Sequence, residues 1–84
     1  MTWNILWHPN AKKSLNSLPS ELRERAIKRV DALRDNPFHF LEHLSGQDFY
    51  KLRIGDYRAL VDVDFENKTL MIQVFDHRKK VYKR

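Results

Sequence analysis

Lys51, Arg53 and Arg58, followed near the end of the chain by His77, Arg78, Lys79, Lys80, Tyr82 and Lys83, are the residues whose types and spacing could do chemistry. Gly55-Asp56 sits between two alternating apolar runs, FYKLRI and YRALVDV. That pattern predicts a two-residue hairpin turn with glycine in its first central position. The turn sets the register: Ile54 faces Tyr57, and Arg53 lies directly across from Arg58. Like charges opposed across a hairpin are destabilising. A sequence that keeps them has a polyanion to place between them, and no acidic partner of their own is expected. The terminal run from His77 to Arg84 adds five cations and no acid.

The overall charge agrees. The net charge is +5 and the sequence pI about 9.7. Residues 1–48 hold seven Lys/Arg against six Asp/Glu, whereas residues 49–84 hold nine against five. A basic region in a small domain points to nucleic acid or a membrane surface. The membrane is the weaker choice, because the cations fall on a sheet and a tail and not along an amphipathic helix. No apolar run approaches the ~20 residues that span a bilayer, and no signal segment opens the chain, so a cytoplasmic protein is expected. Cysteine is absent, which suits a reducing compartment.

The elements that must position these groups follow from hydrophobic periodicity. Trp3, Ile5 and Trp7 alternate on one strand. Pro9 opens a short helix carrying Ala11, Leu15 and Leu18. Leu22, Ala26, Val30 and Leu33, with Ile27 beside them, form the apolar stripe of a second helix that ends near Asp35-Asn36-Pro37. Residues 37–47 read as a loop. Residues 48–54, 57–64 and 69–76 read as three antiparallel strands. Leu52, Ile54, Ala59, Val61, Val63, Leu70, Ile72 and Val74 fall on a covered face. Lys51, Arg53, Arg58, Leu60, Met71, Gln73 and Phe75 fall on an open one. The expected architecture is a single α+β domain over residues 1–84, in the order β-α-α-β-β-β. Two helices pack on one face of a small, mainly antiparallel sheet.

With those elements in place, the chain resembles the RelE/ParE toxin superfamily of type II toxin–antitoxin systems, and most of all its RelE-like mRNA interferases. The likeness runs through HPNAKKSLNSLP, the helix ending in LRDNP, FYKLRIGDYR and the terminal DHRKKVY. It implies a RelE-like fold and a metal-independent endoribonuclease that needs no cofactor and cuts messenger RNA in the ribosomal A site. It also implies a cognate antitoxin, with an acidic, partly helical segment, that covers the active surface in a hetero-oligomer. The family's working lysine, strand arginine, C-terminal arginine and tyrosine match Lys51, Arg58, Arg78 and Tyr82, and a second basic residue matches Arg53. Val61 departs from the pattern, standing where many members have tyrosine.

Cleavage by the RNA's own 2′-hydroxyl needs a base, positive charge for the phosphorane oxygens, and an acid for the departing 5′-oxygen. Arg58 suits the phosphate clamp and Arg78 a second one. Lys51 is either the base or a further positive charge. Tyr82 donates a proton or stacks on a base. His77 is a rival acid–base group, ranked below Tyr82 because cations follow it. Arg53, His77, Lys79, Lys80 and Lys83 would hold the RNA backbone. Two competing functions stand beside this one: a ParE-like DNA gyrase inhibitor, disfavoured by the Lys51, Arg58, Arg78 and Tyr82 set, and a non-catalytic RNA-binding module. Asp62-x-Asp64-x-Glu66 and the His39/His43 pair lack a fuller ligand set, so no metal is expected.

Overall fold

A computed structural model describes residues 2–44, 46 and 49–77. The elements are β1 (Asn4–Trp7), α1 (Pro9–Asn16), α2 (Ser20–Asp31) continued by a 3₁₀ turn (Ala32–Arg34), α3 (Pro37–Phe40), β2 (Glu42–His43), β3 (Phe49–Ile54), β4 (Tyr57–Asp64) and β5 (Thr69–His77). The five strands form one sheet in the order β1-β5-β4-β3-β2. Every neighbouring pair is antiparallel except β1 with β5. This is the expected α+β architecture. Two elements lie within the stretch read as a loop: the four-residue α3, started by Pro37, and the two-residue β2.

Local chemistry starts and stops these elements. Pro9 occupies the first turn of α1, where a missing N–H costs nothing. His8 caps it, its Nδ1 accepting from the Asn10 N–H at 3.1 Å. In α2, Glu21 lies in the first turn and Lys28 and Arg29 in the last, complementing the helix dipole. Gly55 adopts φ +59° while Asp56 stays at negative φ, which is the type II′ hairpin turn. At the other end of β4, the Asp64 carboxylate accepts from the Asn67 side chain at 2.8 Å and from its backbone N–H at 3.1 Å. These bonds, the side-chain one foremost, hold the Asp64 carboxyl below its ordinary range.

The core lies between the helices and one sheet face. Ala11, Leu15, Leu18, Ala26, Val30 and Leu33 meet Leu52, Ile54, Ala59, Val61, Leu70, Ile72 and Phe75 there. Trp3, Ile5 and Trp7 pack against this cluster as expected. Leu22 and Ile27 do not join it and stay exposed, so the apolar stripe of α2 is narrower than its spacing suggests.

One feature reverses an expectation. Val61 pairs with Ile72 but Leu60 pairs with Val74, so Gln73 is an extra residue on β5. This β-bulge shifts the alternation by one. Phe75, expected on the open face, is therefore buried at 1% exposure and stacks on Tyr57, with ring centroids 5.4 Å apart. Val74, expected in the core, is only half-buried. Accordingly, Phe75→Ala should cost about 3–5 kcal/mol of unfolding free energy in urea titrations. Val74→Ala should cost less than half as much, and the reverse order would contradict the bulge.

Candidate nucleic-acid interface

The hairpin of β3 and β4 brings three of the expected residues together. Arg53 stands opposite Arg58, and Ile54 opposite Tyr57, in the register that the turn predicts. Lys51 is two residues before Arg53 and so shares its sheet face. The three cations differ in environment. Arg53 is exposed, Lys51 is half-buried, and Arg58 is buried at 6% exposure.

Arg58 carries the geometry of the site. Its Nη1 donates to the carbonyl oxygens of Gly55 at 2.9 Å and Tyr57 at 3.0 Å. The guanidinium is thereby folded back onto its own turn. Its Nε is buried and has no hydrogen-bond partner among the described residues. A buried donor without an acceptor costs about 1–3 kcal/mol, more when it is charged. A group left in that state calls for an explanation, and a catalytic role or a bound ion that completes it is one. A guanidinium edge held in place by carbonyls suits a phosphate, because the fork is oriented before the anion arrives.

The surroundings correct one expectation. The cations are not without acidic partners. Strand β2 places Glu42 opposite Lys51, and Glu42 Oε2 lies 3.5 Å from Lys51 Nζ. Neither the strand nor the pair was visible in a stretch read as loop. Asp76 stands opposite Arg58 on β5, and its Oδ1 accepts from the His77 N–H at 2.8 Å. His77 itself closes β5 opposite Tyr57, with ring centroids 5.6 Å apart, and so lies at the same end of the sheet. Arg78, Lys79, Lys80, Tyr82 and Lys83 fall outside the described residues. Of the other histidines, His39 packs edge-on against Phe40 and His43 against Tyr50. Among the described residues no group of acids and histidines has the arrangement of a metal site, and no helix is long and apolar enough to cross a membrane.

A three-stranded tongue of sheet with a buried arginine at its hairpin end marks this small α+β fold, and comparisons with known proteins place it. Residues 5–82 match the family model described as the ParE toxin of the type II toxin–antitoxin system parDE. The chain belongs to that family, within the RelE/ParE toxin superfamily. The fold is similar to the toxin of a RelBE toxin–antitoxin complex from Mycobacterium tuberculosis, with a TM-score of 0.84, 23% identity, and coverage of 93% of this chain and 100% of that one. An archaeal RelE–RelB complex from Pyrococcus horikoshii is 29% identical, with a TM-score of 0.77 over 93% of this chain and 97% of that one. The isolated RelE toxin of E. coli gives a TM-score of 0.77 at 23% identity, covering 96% and 92% of the two chains.

If the guanidinium of Arg58 is held at a cost to the free protein, an apolar side chain of similar length should remove that cost. Arg58→Met should leave the unfolding free energy unchanged or raise it by up to about 2 kcal/mol in chemical denaturation. A loss of more than about 2 kcal/mol would make the side chain a structural strut instead.

Proposed function

We propose that this toxin is a ribosome-dependent, metal-independent endoribonuclease. It inhibits translation by cutting messenger RNA in the ribosomal A site through attack of the RNA's own 2′-hydroxyl. The observation that supports this most is the buried Arg58 guanidinium, with its turn carbonyls on one side and an unanswered Nε–H. The phosphorane formed in the attack gathers negative charge on its equatorial oxygens. A positioned donor there stabilises the transition state more than the ground state. Lys51 and Arg53 add positive charge on the same face and hold the flanking backbone. Arg78 is assigned as a second clamp on the developing charge. Tyr82 is assigned to protonate the departing 5′-oxygen, with His77 as its rival at the end of β5. Lys79, Lys80 and Lys83 would extend the contact with RNA. Lys51, as the free amine, is assigned to take the proton of the attacking 2′-hydroxyl as the new bond to phosphorus forms, so base, clamp and acid come from the chain and no cofactor is required.

The solved relatives named above include toxins bound to antitoxins. By extension, a cognate antitoxin covers this face in a hetero-oligomer. An acidic, partly helical segment is the complement that Lys51, Arg53 and Arg58 call for. Cytoplasmic action follows from a ribosomal target.

The match to a family named for ParE keeps one other function in play: inhibition of DNA gyrase. The two separate in one experiment. Purified protein should cut mRNA on programmed ribosomes and leave a 2′,3′-cyclic phosphate and a 5′-hydroxyl. Arg58→Ala should slow cleavage by about 10²–10³-fold or more. Undiminished cleavage by that variant would remove the assigned role. Absence of cleavage together with inhibition of gyrase supercoiling would replace the nuclease with a gyrase inhibitor.

A further inference from the structure

The Lys51 side chain is tied to Glu42 in a way that bears on how RNA is admitted. The two residues are direct cross-strand neighbours in the β2–β3 pair, so their side chains leave the same sheet face. The carboxylate–ammonium distance is 3.5 Å. The partners are unequal: the Lys51 side chain is 16% exposed and the Glu42 side chain 68% exposed. Lysine is thus the more enclosed member of the pair, and glutamate the member open to water. An ion pair this exposed is weak, about 0.2–1 kcal/mol. It can be exchanged without unfolding anything around it.

We propose that Glu42 is an internal stand-in for phosphate. In the free protein its carboxylate occupies the Lys51 ammonium, and the RNA backbone displaces it on binding. This deepens the nuclease proposal and rests on it for the identity of the displacing anion. Glu42 is then a specificity-determining residue that touches no reacting atom. It lowers the affinity of the basic face for any single phosphate or stray polyanion. RNA held by several contacts at once still overcomes so weak a bond. The cross-strand Arg53/Arg58 opposition and the Glu42–Lys51 pair would act in opposite senses, the first drawing anions in and the second filtering them.

The test uses the whole chain and a 2′-O-methyl RNA oligonucleotide, which the protein cannot cleave, so that binding is read apart from catalysis. Glu42→Gln should tighten binding about two- to five-fold at low salt. The plot of log affinity against log salt should also steepen by up to about 0.7, because one carboxylate fewer offsets the positive charge that faces the single strand. A merely structural role for Glu42 would not change that slope. In a Lys51→Ala background the gain from Glu42→Gln should vanish. Because Glu42 is exposed, the Gln variant should keep the wild-type unfolding midpoint. Unchanged affinity and slope in Glu42→Gln would overturn the proposal while leaving the nuclease reading intact. The same holds if the gain persists in full without Lys51. Failure of the wild-type protein to bind the oligonucleotide at any salt would also overturn this proposal, whereas the nuclease reading falls only with absence of cleavage on programmed ribosomes, so the two failures are distinguishable.

Discussion

A positively charged side chain folded into the mouth of its own hairpin is the constraint around which the rest of this molecule is arranged. Arg58 is kept there by two backbone carbonyls of the turn it follows. Those carbonyls are available because Gly55 takes a positive φ that other residues reach only at a cost of about 1–2 kcal/mol. The same turn dictates that Arg53 must face Arg58. Register, charge opposition and guanidinium orientation therefore come from one local device. Core packing then holds that device still. Leu52 and Ile54 on one strand and Ala59 on the other are buried beneath it.

The sheet is built so that this end remains narrow. Strand β1 pairs with β5 only as far as Ile72, and β2 pairs with β3 only at Tyr50 and Lys51. Beyond those points three strands continue without the outer two. The bulge at Gln73 lies at the transition. It turns Phe75 into the core against Tyr57 and Trp7, which anchors the end of β5 beside the hairpin. A strand without the bulge would put Phe75 in water and Val74 inside, and would lose the ring stack that steadies Tyr57. The far end is closed differently, by Trp3, Phe38 and Phe65 in mutual ring contact.

Much of this was legible in the sequence because it is set locally. The Gly55-Asp56 turn, the strands on either side of it, and the pairing of Arg53 with Arg58 depend on turn chemistry and two-residue alternation, which neighbouring residues determine. Helices α1 and α2 were legible from Pro9 and the spacing of Ala11, Leu15, Ala26 and Val30, whereas α3 lay in a stretch read as loop. What escaped depends on contacts distant in sequence. The bulge has no signature at Gln73, since only the partner strand reveals the extra residue. Strand β2 is two residues long and exists only because β3 lies beside it. Glu42 consequently looked like a loop acid, and Lys51 like a lysine without a carboxylate. Arg58 alternated correctly onto the face with Lys51 and Arg53, yet its burial could not be read from a pattern that makes cations look exposed.

The electrostatics of the site are accordingly a compromise. Cations are opposed across one strand pair, while carboxylates stand nearby on β2 and β5. The Arg58 Nε–H remains the one buried side-chain donor without an acceptor among the described residues. The most direct test of the account is the ¹⁵N-resolved NMR signal of that Nε–H during titration with an uncleavable RNA oligonucleotide. Engagement of a phosphate oxygen should move the proton resonance downfield and slow its exchange with water, in step with saturation of binding. An Nε–H signal that stays put while the oligonucleotide saturates other residues would contradict the claim that this guanidinium receives the phosphate.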